Sequence, residues 1–380
     1  MTLAPSSRQR PAATRRVGRE LAPPSDQATV AAVLALIERT LADLGAQWEV
    51  LASGITPRPG VLHTDSILDL VRGITASKGK LLRPRMAHWG WVAAGGLDHG
   101  SGRDDLVRVG AALELLHCFA LVHDDVMDGS ESRRGRPSVH ALARADHLAH
   151  AGAGDPQRYA ENIAILVGDL LHSESSMLAA GLPDRLRAAW RTMTIELMMG
   201  QGRDLVGAAN GRRDLAHAQE VARAKSGAYT VWRPLELGAL AGGGSEGLLA
   251  VLRDYGHHAG QAFALRDDLL GVLGDPARTG KPVGDDLVAG KPTVLLALAE
   301  QRFSPAARLA LRRIGTGALT TDDVTRLCSE LVDSGVVAEA EALIAGSVAA
   351  AEEALGSACV DPRAAEGLRA LVHQMAWRES

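Results

Sequence analysis

The sequence predicts an all-α fold, a single large helical bundle, and three observations carry that prediction. Strand signals are nearly absent: aromatic residues make up only 3% of the chain, and no clean period-two run is bounded by hairpin turns. Helical apolar spacing fills the chain instead, with Pro and Gly in the gaps, as in PRPG at 57–60 and GGG at 242–244. Several central stretches exceed 20 residues and are apolar on more than one face, as helices are when buried in a bundle.

In chain order, residues 1–27 read as a loose basic tail rich in Pro, Ser and Ala, with Arg8, Arg10, Arg15, Arg16 and Arg19. Ser25 stands where it would cap a helix over about 27–50. Further helices are expected over about 80–95, 103–128, 157–180, 184–208, 215–240 and 246–274, and four shorter ones between 293 and 378. No repeat and no linker follows the tail, so residues 28–380 are expected to form one all-helical domain.

Composition narrows the function classes. With 380 residues, 46% of them hydrophobic, the chain can build a large core and is too apolar to be mostly disordered. A net charge of −4 argues against a dedicated nucleic-acid binder. Cys118, Cys328 and Cys359 are far apart and show no metal-ligand spacing. They read as buried small hydrophobes in a reducing compartment, the cytoplasm. No uncharged apolar run reaches the roughly 18 residues that a bilayer span needs. No apolar signal segment follows the N-terminal arginines, so no integral membrane segment is expected. Of 41 basic residues only five are lysine: Lys78, Lys80, Lys225, Lys281 and Lys291. A lysine kept in an arginine-biased chain points to a need for a compact, mobile charge, and all five lie in or near the segments that follow.

Two acidic clusters carry the chemistry. In the first, Asp124 and Asp128 are four apart on a helix and share one face, with Asp125 adjacent. Uncompensated, these carboxylates repel; hard divalent cations between them and phosphate oxygens make the grouping favourable. Arg133 and Arg134 follow closely, and their forks suit phosphate. A near-copy lies about 140 residues on. Asp267 and Asp268 close an apolar helical run, and a loop with Lys281, Asp285, Asp286 and Lys291 follows. Facing each other across a bundle, the two helix ends would clamp one diphosphate through several Mg²⁺ ions. Lys80 and Arg83, with His117 upstream of the first cluster, would hold a second diphosphate without metal.

Several ordered motifs then combine: GKLLRP at 79–84, HDDVMD at 123–128 with RRGRP at 133–137, GQGRDL at 200–205, AKSG at 224–227 and LRDDLLGVLGDPARTGKPVGDD at 265–286. The sequence resembles trans-isoprenyl diphosphate synthases, the polyprenyl synthetase family, and most of all bacterial geranylgeranyl diphosphate synthases. The resemblance implies the isoprenoid synthase fold, with about ten core helices around a central cavity, usually as a homodimer. It implies Mg²⁺, about three ions per site, with Mn²⁺ as an alternative. Asp124 and Asp128, supported by Asp125, match its first-motif metal ligands. Asp267 matches the principal ligand of the second, with Asp268 beside it. Arg133, Lys225 and Lys281 would hold an allylic diphosphate, with Lys291 close by in the same loop. Lys80, Arg83, His117 and Arg134 would hold isopentenyl diphosphate. Gln201 and Asp204 match polar positions lining the site. Two departures stand out: Gly271 where many members carry a third aspartate, and Ala264 after Phe263 where many carry glutamine.

The implied reaction joins the two diphosphates by 1′-4 head-to-tail coupling. Product length would be set along the helix ending in Asp124. At about 1.5 Å per residue, Phe119 lies roughly 7 Å below that aspartate and Ala120 about 6 Å, with Leu116 another turn down. A large residue five before the motif resembles the C20-forming type, so geranylgeranyl diphosphate is the expected product and farnesyl diphosphate the alternative. A terpene cyclase would leave Lys80, Arg83, His117 and Arg134 with nothing to hold. A non-catalytic regulatory subunit would leave costly idle charges.

Overall fold

The computed structural model describes residues 25–54, 63–77, 79–96, 99–133, 135–275, 283–316 and 318–379. Its helices are α1 Asp26–Leu51, α2 Ser66–Ala76, α3 Leu82–Ala93, α4 Ser101–Asp128, α5 Val139–Ala149, α6 Pro156–Ala180, α7 Asp184–Ala209 and α8 Leu215–Val221. A π-helix over Ala222–Trp232 leads into α9 Arg233–Ala241 and α10 Glu246–Leu273. Then come α11 Asp285–Val288, α12 Val294–Arg302, α13 Pro305–Leu311, α14 Thr321–Asp333, α15 Val336–Ala354 and α16 Pro362–Ala376. Among the described residues the only strands are β1 Ser132–Arg133 and β2 Arg136–Pro137, an antiparallel pair.

The long helices fall where the apolar spacing puts them. Ser25 is the N-cap residue of α1, although its side chain makes no capping bond. Asp155 caps α6 through the Gln157 amide at 2.9 Å, with Pro156 at the first helical position, where its missing N–H costs nothing. Among the described residues five helices, not four, follow residue 293. The short α2 and α5 had no expected counterpart. The expected tail falls outside the described residues up to residue 24, and its last positions, Asp26 and Gln27, already belong to α1.

Two hydrophobic clusters meet along α4. The larger joins α3, α7, the π-helix, α9, α10 and the C-terminal helices around Trp91, Tyr255, Met86 and Leu113. The smaller joins α1, α2, α5 and α6 to the opposite side of α4 through Val33, Leu115, Val122 and Leu171. A fully buried Leu or Phe contributes about 1.5–3 kcal/mol, so α4 is held from both sides. Two helices, Gly102–Asp128 and Pro156–Ala180, are long and apolar enough to cross a membrane by length and composition. In the bundle 67% of the most apolar stretch of the first is buried but only 33% of that of the second. The apolar surface of α6 stays partly open, with Ile165, Leu166 and Met177 exposed. No disulfide joins the cysteines: Cys118 is buried as expected, but Cys328 is half-buried and Cys359 exposed.

Candidate active site

The first acidic cluster sits in the last turn of α4, which ends on Gly129 in the left-handed region (φ 64°). A helix C-terminus carries partial negative charge and disfavours carboxylates. Asp124 and Asp128 therefore need cations, and the fold supplies them from three other elements. Lys225 of the π-helix places Nζ 2.9 Å from Asp124 and 2.6 Å from Asp204 of α7. Lys291, in the segment before α12, places Nζ 2.7 Å from Asp128 and 3.3 Å from Asp286 of α11. The β1–β2 hairpin folds Arg133 back, 3.7 Å from Asp124. Gln201 of α7 reaches Asp124 at 3.4 Å.

Backbone packing makes these contacts reachable. A Cβ at Gly200 would lie 2.7 Å from the Lys225 backbone nitrogen, so only glycine lets α7 approach the π-helix closely enough to bring Asp204 to Lys225. The π-helix is itself a rare form that recurs at functional sites.

Asp125 points away from its neighbours. It is 2% exposed and accepts from Arg133 Nε at 2.8 and 3.0 Å, with Nη2 at 2.6 Å. Its place in this arrangement is to hold Arg133.

At the second cluster, near the C-terminus of α10, the two aspartates separate. Asp267 is 60% exposed and ion-paired to Arg378 at 2.5 Å. Asp268 turns inward and accepts from the Val294 amide at 3.1 Å, at the start of α12. Arg378, which no sequence signal marked, stacks over Phe263 at 4.5 Å. It follows α16, whose last turn Arg266 grips through the Ala376 carbonyl at 2.6 Å.

These surroundings set the protonation states. Burial raises the Asp124 carboxyl, but Lys225, Lys291 and Arg133 together overcome it and hold Asp124 well below the usual carboxylate range. Asp128 goes the other way: burial and then the Asp124 charge push it up. Burial, Asp286 and Asp267 push Asp268 well up. Burial opposes the charge on Lys291, yet Asp286, Asp128 and Asp124 raise it well above the ordinary value.

The third group assembles in part. Arg83 is buried, donates from Nη2 to Thr230 Oγ1 at 2.9 Å and lies 4.2 Å over the Tyr229 ring. His117 flanks the same ring, with centroids 6.5 Å apart. Tyr229 and Thr230 of the π-helix are site-region residues that the sequence reading did not single out. Lys80 is exposed in the turn before α3, beside Leu81 in a left-handed conformation (φ 50°). Leucine rarely adopts this shape, and such strain collects at functional sites. Arg134 and Lys281 lie outside the described residues. Phe119 and Ala120 are half-buried on α4, and Leu116 is buried in the larger cluster. A cavity of about 290 Å³ opens between the π-helix and α10, lined in part by Gly227, Gly260 and Ala264. The small side chain at 264 faces it.

The donor set fits a hard divalent cation: several carboxylates with no thiol beside them. Among the described residues no three such groups converge on one point; lysine and arginine pair with the carboxylates instead. Asp124, Asp128 and Asp267 could hold such a cation.

Comparison with known proteins identifies the family. The family model for polyprenyl synthetase matches residues 64–331. The geranylgeranyl diphosphate synthase of Mycobacterium tuberculosis is 34% identical over 291 residues, 74% of this chain and 77% of that protein. The geranylfarnesyl diphosphate synthase of Aeropyrum pernix is 33% identical over 272 residues, 69% of this chain and 78% of that one. A geranylgeranyl pyrophosphate synthase from Corynebacterium glutamicum, solved with isoprenyl diphosphate and magnesium, superposes with a TM-score of 0.82 at 36% identity, over 91% of this chain and 98% of that one. With its two aspartate-bearing helix ends inside the matched span, the chain belongs to the polyprenyl synthetase family.

Proposed function

We propose that this prenyltransferase condenses an allylic diphosphate with isopentenyl diphosphate and makes geranylgeranyl diphosphate. The observation that carries the reading is Lys291, whose ammonium touches Asp128 of the first motif and Asp286 of the second segment at once. The end of the first aspartate-bearing helix and the acidic segment that follows the second thus meet at one lysine, an arrangement that supports the clamping of a single diphosphate.

When bound, Mg²⁺ supplies charge that stabilises the departing diphosphate. We place about three ions at Asp124, Asp128 and Asp267, with Mn²⁺ able to replace them. Lys225, Lys291 and Arg133 would hold the allylic diphosphate and meet the charge that grows on it; their ion pairs with Asp124 and Asp128 support this. Lys281 and Arg134 are assigned to the two diphosphates on the motif alone. Arg83 and His117, with Lys80, would hold isopentenyl diphosphate, so both reactants are placed before bond formation. The apolar flank of α4 would keep water from the allylic cation. The proton lost from the new unit goes to the leaving diphosphate, so no protein base is required.

Phe119 is the proposed stop for the growing chain, with Ala120 leaving room and Leu116 forming the wall below. The exposed apolar residues of α6 and α7, among them Ile165, Leu166, Met177, Ile195 and Met198, support a homodimer through that face. Three widely spaced cysteines favour a cytoplasmic setting, and residues 28–380 are read as one catalytic domain, of which the family model matches 64–331.

The test is purified protein with Mg²⁺, isopentenyl diphosphate and each of the C5, C10 and C15 primers, with products sized by mass spectrometry. A C20 product is expected; a C15 end point would replace it with farnesyl diphosphate. Turnover of a primer without isopentenyl diphosphate would indicate a cyclase instead.

A further inference from the structure

The Phe119 ring is held between two imidazoles. His123, one helical turn on along α4, meets it edge-on with centroids 4.7 Å apart. His172 of α6 meets it with centroids 4.9 Å apart. His123 is itself fixed against α6. A Cβ at Gly168 would come within 2.2 Å of its Nε2, and that nitrogen lies 3.2 Å from the Ile165 carbonyl oxygen and 3.9 Å from the Asp169 carboxylate. Phe119 packs against both hydrophobic clusters, at the seam between α4 and α6.

We propose that His172 is a positioning residue for product length: it backs Phe119 from α6 and so fixes how far a growing prenyl chain reaches. This rests on the reading of Phe119 as the stop. Aromatic rings at this spacing hold one another in preferred orientations, and packed side chains occupy discrete rotamers rather than sliding. His123, seated in the gap that Gly168 leaves, closes one side of the phenyl ring. His172 closes the side facing α6. Removing that imidazole leaves space into which Phe119 turns, and the floor beneath the substrate drops while Phe119 itself remains. Among the described residues neither imidazole contacts Lys225, Lys291, Asp124 or Asp128, so the diphosphate chemistry is left in place.

Four variants decide it, each assayed with Mg²⁺, isopentenyl diphosphate and the three primers: His172→Ala, His172→Phe, Phe119→Ala and the double variant Phe119→Ala/His172→Ala. His172→Ala is expected to shift the product at least one C5 unit longer, with primer turnover within a few-fold of the parent. His172→Phe, which restores a ring, returns the parental length. The double variant makes the same product as Phe119→Ala alone, because His172 acts through Phe119. Parental product from His172→Ala, while Phe119→Ala lengthens it, overturns the proposal and leaves the stop reading intact. A double variant longer than Phe119→Ala also overturns it, since His172 would then meet the chain directly. Parental product from Phe119→Ala removes the stop itself and the proposal with it. If His172→Ala does not fold, His172→Gln removes the ring and carries the same expectation.

Discussion

Asp286 occupies the space that a side chain at position 271 would need. A Cβ on Gly271 falls 1.8 Å from Oδ2 of Asp286 and 2.7 Å from its Cγ. Many members of the family carry a third aspartate at this position of the second motif. Here a carboxylate arrives at the same place from α11 and meets Lys291 at 3.3 Å. Glycine at 271 is thus a condition of the arrangement rather than a lost ligand. Gly271→Asp forces two carboxylates into one space. Overpacking alone costs about 1–3 kcal/mol, and like charge adds to it. Thermal melts should show a lower Tm, and initial-rate assays a fall in kcat of about tenfold or more, the effect of 1.4 kcal/mol on a barrier. Gly271→Asp/Asp286→Gly, which moves the carboxylate instead of adding one, should regain much of both.

The elevated carboxyl of Asp268 sets a pH dependence with a definite sign. Its native value lies well above the ordinary 3.8, chiefly through burial and then through Asp286 and Asp267. A raised carboxyl binds its proton more tightly in the folded chain. Its contribution to stability is therefore full below the unfolded value and is lost as pH rises through the folded one. Asp268→Asn mimics the protonated form and can still accept from the Val294 amide. In metal-free buffer the Tm of Asp268→Asn minus that of the parent should grow as pH rises from about 4 upward. A difference that is flat or shrinks with pH would contradict the assignment.

Lys291 compensates charge at both acidic segments, so its removal should hurt most when no metal is present. Truncating one partner of a buried pair costs about 3–5 kcal/mol, because the other charge stays behind. Lys291→Gln strands Asp128 and Asp286 together. Its Tm should fall strongly in chelator and recover in millimolar Mg²⁺ by more than the parent gains. Equal Mg²⁺-induced gains in both proteins would show that Lys291 and the metal do not answer the same carboxylates.

Much of this was legible in the sequence because it follows from periodicity. Helical spacing located the long helices, and the turn of four between Asp124 and Asp128 put both on one face. Contacts that depend on tertiary packing were not legible. Nothing in AKSG says that its helix is wound in π register, or that Gly200 on α7 admits the Lys225 backbone. Adjacent aspartates read alike in a sequence, yet Asp125 turns to Arg133 and Asp268 to the Val294 amide, because each occupies a different face of its helix. Arg378 was missed for a similar reason: a lone arginine near the C-terminus carries no pattern, and its partner lies 111 residues away.

The pairing of Arg378 with Asp267 should raise the Mg²⁺ requirement of the enzyme. Arg378 is the better buried partner, 12% exposed against 60%, and its guanidinium rests on Phe263. The C-terminal turn thus presents a preformed cation to the aspartate expected to bind metal. Because Asp267 is largely solvated, the pair is worth about 1 kcal/mol at most, which corresponds to a several-fold change in a binding constant. Arg378→Ala should accordingly lower the Mg²⁺ concentration for half-maximal activity several-fold. Trp377, next in the chain and 47% exposed, reports the same event without turnover. Its emission, isolated by comparison with Trp377→Phe, should change as Mg²⁺ and pyrophosphate displace Arg378 from Asp267, and should lose that response in Arg378→Ala. Emission that stays flat across a titration that fully activates the parent would mean that Arg378 keeps its place on Asp267, and that the metal binds without it.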